Sequence, residues 1–179
     1  MSEHGPTAGR GKWSQAGVPK KGWICENVED LGDERITCEM CETMPIRFVH
    51  YMVNPRYRDR LGCGEVCAGH MEGDLEKAAS RDKVMKSFAS RRKKFPARKR
   101  WYINQSGNWQ LKEKGFRVTM FKRNSTWHGV VARAGKSTFT REGFADLNSA
   151  QMAAFDTLNF LQDQEPERTV LVDPSQYDF

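Results

Sequence analysis

The residues best suited to chemistry lie between Cys38 and His70, where cysteine and histidine occur at the spacing of metal ligands. Cys38 and Cys41 form a C-x2-C pair, and Cys67 and His70 form a C-x2-H pair. A C-x2-C turn brings two sulfurs to one side of a zinc ion, which binds thiolates and imidazoles in a tetrahedron. Residues three apart at the start of a helix share a face. The spacing therefore predicts one structural zinc ion with four ligands: Cys38, Cys41, Cys67 and His70.

Two other residues are candidate ligands of the same metal ion. Cys63 and Cys67 form a C-x3-C pair that can replace the C-x2-H pair. We prefer Cys67 and His70, because both fall at the start of a helical pattern. His50 lies within a strand pattern, where a histidine is more often packed or hydrogen-bonded than bound to metal.

The elements that position these ligands can be read from the intervening residues. An alternating apolar segment at 46–53, a turn at Asn54-Pro55 and a second short strand separate the two pairs. Apolar residues then recur at three- and four-residue steps from about Cys67 to Lys94, which predicts one long helix with a basic opposite face. Asp82 interrupts the apolar stripe. The order of knuckle, hairpin and helix start resembles a treble-clef zinc finger.

After Trp101 the apolar period changes from helical to alternating. Residues 101–111 favour a hairpin, and three further strands are predicted within 116–141. A capping-box pattern, Asn148-x-x-Gln151, opens a final amphipathic helix. We therefore predict a three-stranded antiparallel sheet packed by one helix, and an α+β fold class for the whole chain.

Composition divides the chain into four parts. We predict a disordered N-terminal tail at 1–22, a zinc-binding module with its basic helix at 23–95, the sheet and helix domain at 101–161, and an acidic C-terminal tail at 162–179. Trp13 and Trp23 are expected to dock on the zinc module or, together with the C-terminal tail, on a protein partner.

Positive charge is concentrated in the middle of the sequence. The whole chain has a net charge of +6, yet fifteen Lys/Arg face only Asp82 and Glu113 between Arg81 and Arg123. Such a block favours a polyanion, bound through release of counterions. Aromatic residues within and beside the block suit stacking on bases. We expect nucleic acid as the partner, with DNA favoured over RNA. The basic residues assigned to it at the helix end and linker are Arg91, Arg92, Lys93, Lys94, Arg98, Lys99 and Arg100.

The segment from Phe116 to Leu161 resembles two DNA-binding domains. Its motifs are Trp127-x-Gly129-x-Val131, Phe144-x-x-Leu147 and Ala153-Ala154-x-Asp156. They are similar to the plant ethylene-response-factor domain and to the arm-type domain of tyrosine recombinases. The resemblance implies that the exposed sheet face enters the major groove of double-stranded DNA. The residues it assigns to that face are Arg117, Arg123, Trp127, Arg133, Lys136 and Arg141.

The N-terminal half resembles a second group of proteins. The matching motifs are Gly17-Val18-Pro19-x-Lys21-Gly22-Trp23, Cys38-x-Met40-Cys41-Glu42, Arg47-x-Val49-His50 and Cys67-Ala68-Gly69-His70-Met71. They are similar to a family of uncharacterised bacterial and mobile-element proteins. That resemblance implies a bacterial zinc protein of the cytoplasm, with no defined activity.

Three function classes are compatible with these patterns. A zinc-stabilised, non-enzymatic DNA-binding protein with an accessory or regulatory role fits best. A protein-interaction adaptor or RNA-binding subunit is the first alternative. An HNH-like metal-dependent nuclease is the second, with His50 as general base and Asn54 in support. The five cysteines favour a reducing compartment, and no apolar run reaches the ~20 residues of a membrane span.

Overall fold

The structure is a computed structural model, and it describes residues 10–164 of the chain. Two units separate within it, an N-terminal unit up to Arg91 and a C-terminal unit from Arg92. Each unit contains antiparallel strands and helical residues, so the predicted α+β class is confirmed. Within residues 10–164, no helix combines the length and the apolar character needed to cross a membrane.

The N-terminal unit is built on a three-stranded antiparallel sheet with the order β1-β4-β5. Its elements are β1 (Ile24–Asp30), β2 (Ile36–Thr37), β3 (Pro45–Ile46), β4 (Phe48–Asn54), β5 (Tyr57–Cys63) and α1 (Glu65–Glu72), and α2 (Leu75–Lys94) runs past the boundary between units. The predicted turn at Asn54-Pro55 joins β4 to β5. There the Asn54 Oδ1 atom accepts a hydrogen bond of 2.9 Å from the Arg56 backbone N–H.

The prediction of one helix from Cys67 to Lys94 is wrong, because the chain forms two helices with a break at Gly73. Gly73 has a φ of 82°, the left-handed conformation that ends many helices. The N–H groups of Gly73 and Asp74 both donate to the carbonyl of Gly69 at 2.9 Å. The Asp74 side chain then accepts from the backbone N–H of Lys77 at 2.8 Å and caps the start of α2.

Residues 10–22, predicted to be disordered, instead pack against the N-terminal unit. A short 3-10 turn at Gly11–Trp13 is followed by Val18 and Trp23, whose side chains are buried in the hydrophobic core. The Lys12 N–H donates to the Met40 carbonyl at 2.9 Å. Trp13 and Trp23 were expected to dock on the zinc module or on a partner, and both rings contact this unit's own core.

The C-terminal unit contains five antiparallel strands rather than the three expected in its sheet. They are β6 (Tyr102–Ile103), β7 (Trp109–Glu113), β8 (Phe116–Arg123), β9 (Thr126–Arg133) and β10 (Lys136–Phe139), in the order β10-β9-β8-β7-β6. The helix α3 (Leu147–Asp163) covers one face, and buried Val118 and Met120 belong to the core there. Its cap is Asp146 rather than Asn148, with a bond of 2.8 Å from the Ser149 N–H to the Asp146 carboxylate. The tail residues 165–179, including Val170-Leu171-Val172, lie outside the described residues.

Two-residue turns fix the register of the three central hairpins in this sheet. Both central residues have positive φ at Lys114-Gly115, Asn124-Ser125 and Ala134-Gly135. This backbone form matches the right-handed twist of the flanking strands, as in type I′ turns. An alanine in the left-handed region is strained, because its Cβ approaches the following carbonyl oxygen. Ala134 therefore lies at a position where asparagine is preferred.

We expect Ala134→Asn to stabilise the C-terminal unit by about 0.5–1 kcal/mol, since asparagine accepts positive φ at a smaller cost. The midpoint of thermal unfolding of this unit should rise by a few degrees. Thr138→Asn, at an exposed strand position, is the matched control and should give no increase. An unchanged or lower midpoint for Ala134→Asn would show that the turn is not strained.

Candidate metal centre and cationic surfaces

Three of the predicted metal ligands meet in the N-terminal unit. The ligand atoms of Cys38, Cys41 and Cys67 all lie within 4.8 Å of one another, and the three side chains are buried. Four sulfurs held 2.3 Å from one zinc ion stand about 3.8 Å apart, which falls within this limit. The three cysteines can therefore bind a metal ion.

The short β2–β3 ladder positions the first two sulfurs. Ile36 pairs with Ile46 and Thr37 with Pro45, which leaves residues 38–44 as a tight loop. The Cys38 N–H donates to the Met44 carbonyl at 2.8 Å, and the Glu42 N–H donates to the Cys38 carbonyl at 2.8 Å. Cys38 and Cys41 thus belong to one loop that is closed by backbone hydrogen bonds.

A fourth cysteine, Cys63, lies beside this cluster at the end of β5. Its side chain is fully buried. Both of its chain neighbours are hydrogen-bonded to the β2–β3 loop: the Glu39 N–H donates to the Gly62 carbonyl at 2.9 Å, and the Gly64 N–H donates to Cys38 Sγ at 3.4 Å. The Gly62 N–H also donates to the Glu39 carboxylate. These contacts fix the Cys63 backbone next to Cys38.

The pKa values of the neighbouring thiols are shifted in opposite directions. Hydrogen bonds from Cys63 and Cys67 hold the pKa of the Cys38 thiol far below its usual range. The same bonds and burial raise the pKa of Cys63 and of Cys67. Anionic sulfur at Cys38 is therefore favoured beside thiols that donate to it, and burial of a second thiolate is costly without a cation nearby.

Neither His70, predicted as the fourth ligand, nor Cys63 belongs to the group formed by Cys38, Cys41 and Cys67. The His70 ring stands edge-on to the Trp13 ring, with 6.4 Å between their centroids. The helix begins at Glu65, two residues earlier than the predicted start, so Cys67 lies inside the first turn. The C-x3-C spacing of Cys63 and Cys67 was the sequence signal for the alternative arrangement.

His50 belongs to a second, buried polar cluster. Its side chain is 0 % exposed, and its Nε2 atom lies 3.6 Å from Asp82 Oδ1. Burial lowers the pKa of His50, although Asp82 opposes this shift. Lys86 forms an ion pair with Asp82, and it lies 3.7 Å from the Glu65 carboxylate. Asp82, the polar residue that interrupts the apolar stripe of α2, thus faces buried His50. Because the His50 side chain has no exposed surface, it does not contact a phosphate group in this conformation.

Two of the basic residues predicted to bind nucleic acid are engaged in ion pairs inside the C-terminal unit. Arg92 Nε lies 2.8 Å from Asp156 Oδ1, and Arg98 forms an ion pair with Glu113. The side chain of Arg91, in the N-terminal unit, lies over the Phe88 ring at 5.9 Å. The exposed members of the same block are Arg91, Lys93, Lys94, Lys99 and Arg100, and the last four belong to the C-terminal unit.

The predicted sheet residues do not share one face. Strand alternation places Arg117 and Arg123 on the face opposite α3, because the intervening Val118 and Met120 are buried. The β9 residues that pair with Arg117 and Arg123 share their face. Trp127 and Arg133 are the next residues along β9, so they lie on the α3 side, and Lys136 pairs with Arg133 on that side. Arg141 follows β10 in an exposed loop. The resemblance-based prediction of a single six-residue surface is therefore wrong in this detail.

A cationic cavity lies at the end of the sheet where the Lys114-Gly115 and Ala134-Gly135 turns meet. Its volume is about 440 Å³, and no carboxylate lines it. The charged side chains that line it are Lys112, Arg117, Arg133 and Lys136. Arg133 also lies over the Phe116 ring, with 4.9 Å between its guanidinium carbon and the ring centroid. Such a cavity has the charge and size to accept an anionic group.

Comparison of the chain with protein-family models, with curated proteins and with solved structures found no match in any of the three.

Proposed function

We propose that the chain is a zinc-stabilised nucleic-acid-binding protein without a reaction of its own. The observation that carries the proposal is the uneven distribution of charge between the two units. Residues 92–164 contain fourteen Lys/Arg and five Asp/Glu, a net +9, whereas residues 10–91 contain fourteen Lys/Arg and thirteen Asp/Glu, a net +1. Binding of a polyanion is thus assigned to the C-terminal unit.

The carboxylates of the C-terminal unit neutralise only a small part of its positive charge. Glu113 and Asp156 neutralise only Arg98 and Arg92, and Asp146 caps α3. Lys93, Lys94, Lys99 and Arg100 are exposed beside them. A polyanion that neutralises such side chains releases condensed counterions, which supplies much of the binding free energy. The cavity lined by Lys112, Arg117, Arg133 and Lys136 adds a second set of phosphate contacts.

For the metal, we propose one zinc ion held by four thiolates. Cys38, Cys41 and Cys67 form the observed cluster, and Cys63 is the fourth ligand in place of His70. The Gly64 N–H and the Thr43 hydroxyl each donate to a sulfur at 3.4 Å, as expected around thiolate ligands. Zinc in a closed four-sulfur site stabilises the fold and has no vacant position for substrate.

This arrangement supports a treble-clef interpretation of the N-terminal unit. The β2–β3 loop provides the knuckle, β4 and β5 form the hairpin, and α1 begins two residues after Cys63. Zinc would join the knuckle to the hairpin end and to the helix start, and would add to the hydrogen bonds between residues 38–39 and 62–64. Stabilisation by the metal suits a chain whose hydrophobic content is only 38 %.

The salt dependence of binding tests the proposed function. We expect the full chain with zinc to bind nucleic acid oligomers, and log K to fall linearly with log[salt] at a slope of about −0.7 to −0.9 per neutralised phosphate. Fluorescence anisotropy of labelled oligomers across a range of salt concentrations measures this slope. Undetectable binding at low salt, or an affinity that does not change with salt, would reject the proposal.

A further inference from the structure

One face of the five-stranded sheet lies opposite α3, and we call it the open face. Phe116, Val118 and Met120 of β8 are buried beneath α3, so the alternate residues of β8 point the other way. The strand register extends this face across the sheet. Arg117 pairs with Ala132, Phe121 with His128, and Val130 with Phe139. On the other side Lys112 pairs with Arg117, and Tyr102 with Gln110.

The open face is cationic. Lys112, Arg117 and Arg123 project from it, and no Asp or Glu occupies its paired positions in β6–β10. Glu113, the one acidic residue within these strands, lies on the opposite side of β7 and pairs with Arg98. This charge is complementary to that of an anionic ligand.

The open face is also aromatic. Tyr102 and Phe139, on the two edge strands, are 41 % and 62 % exposed. Between them, the Phe121 and His128 rings are stacked, with 5.8 Å between centroids and 20° between planes. Tyr102 donates to Gln110 Oε1 at 2.6 Å, and Gln110 Nε2 donates to Thr119 Oγ1 at 2.9 Å. These bonds hold the Tyr102 ring in place before a ligand arrives.

The width of the sheet favours unpaired bases over a base-paired duplex as the ligand of the open face. Adjacent strands are about 4.8 Å apart, so five strands span roughly 19 Å. The major groove of duplex DNA is about 12 Å wide and admits a helix or a two-stranded ribbon. A flat contact of the whole open face with a groove is excluded by this difference, whereas a single strand can cross the sheet with its bases against the rings.

We infer that the open face binds single-stranded nucleic acid, with unpaired bases stacked on Tyr102, Phe121 and Phe139 and phosphates next to Lys112, Arg117 and Arg123. The inference rests on the proposed function and specifies the form of its ligand. It replaces the groove-bound duplex implied by the sequence resemblance. Stacking on aromatic side chains accepts every base, so little sequence preference is expected.

The test compares Phe139→Ala and Tyr102→Ala/Phe139→Ala with the control Phe160→Ala. Phe160 lies on α3 and is 59 % exposed, which matches Phe139 in exposure but not in position. The probes are a 15-nucleotide single strand of mixed sequence, the corresponding duplex, and heparin, which has charge without bases. At 0.1 M salt we expect Phe139→Ala to weaken single-strand binding by roughly 5- to 100-fold and the double variant by more. Changes below about 2-fold are expected for duplex and heparin.

The control and a rescue variant complete the design. Phe160→Ala should bind all three probes like the wild type, and Phe139→Trp should preserve single-strand binding. Equal losses on heparin and on the single strand, or a loss with Phe160→Ala as large as with Phe139→Ala, would overturn base stacking on the open face. Wild-type binding to heparin and duplex without stronger single-strand binding would reject this inference alone. Failure to bind any probe would reject the proposed function as well.

Discussion

Replacement of Lys93, Lys94, Lys99 and Arg100 by glutamine in one variant is expected to weaken nucleic-acid binding by roughly 10²- to 10³-fold at 0.1 M salt. The four side chains are exposed, and the ion pairs of Arg92 and Arg98 remain intact. The loss should be similar for every sequence, because contacts to phosphate carry no sequence information. The slope of log K against log[salt] should become shallower by about 3.

A charge-matched control separates local contacts from net charge. Lys21, Arg56, Arg58 and Lys83 are exposed side chains of the N-terminal unit. Their replacement by glutamine removes the same four charges, yet we expect a loss below about 5-fold, since charges that do not contact the ligand are partly screened at this salt. Equal losses in the two variants would show that the chain binds through its overall charge. An unchanged affinity in the first variant would show that those four residues do not contact the ligand.

The second large effect concerns the metal. Cys63→Ser is expected to lower zinc affinity by more than about 100-fold, because loss of a ligand should exceed the 10- to 100-fold effect of an outer-shell partner. The N-terminal unit should then unfold at lower temperature, since zinc binding and folding are coupled. Metal content after dialysis and thermal unfolding of the same samples measure both effects. The wild type should retain about one zinc ion per chain.

Two matched variants identify the ligand set. His70→Ala should retain zinc, because its ring contacts Trp13, whereas the Cys63 side chain is hydrogen-bonded to Cys38. Cys25→Ser, which removes a half-buried thiol from β1, should also retain zinc. Loss of zinc in His70→Ala with full retention in Cys63→Ser would restore the C-x2-H pair as the second half of the site.

Local spacing was sufficient to predict that Cys38 and Cys41 lie together. The C-x2-C pair forms within one loop closed by short-range hydrogen bonds, so Cys38 and Cys41 could be placed from sequence. The choice between Cys63 and His70 depends on non-local contacts, above all the bond from the Glu39 N–H to the Gly62 carbonyl. No periodicity reveals a contact between a loop and a strand end 23 residues away.

The helix break shows a different difficulty. Gly73 is a typical residue for the end of a helix, and Asp74 is a typical residue for the start of the next one. However, apolar residues recur with the same helical period on both sides of them, and this pattern favours one continuous helix. In the sheet, period-two alternation would have separated Trp127 from Arg117 and Arg123. Trp127 shares its parity with Gly129 and Val131, which face α3. The family resemblance instead places Trp127 on the same face as Arg117 and Arg123, and this placement is wrong.

Ultraviolet crosslinking of the full zinc-loaded chain to a thymine-rich single strand, with the modified peptides mapped by mass spectrometry, tests the central claim most directly. If the C-terminal unit holds nucleic acid on its cationic and aromatic surfaces, the adducts should concentrate within residues 92–141. They should be rare in the acidic segment 23–42, whose carboxylates repel phosphates. Adducts confined to residues 10–91, or spread evenly along the chain, would contradict the account.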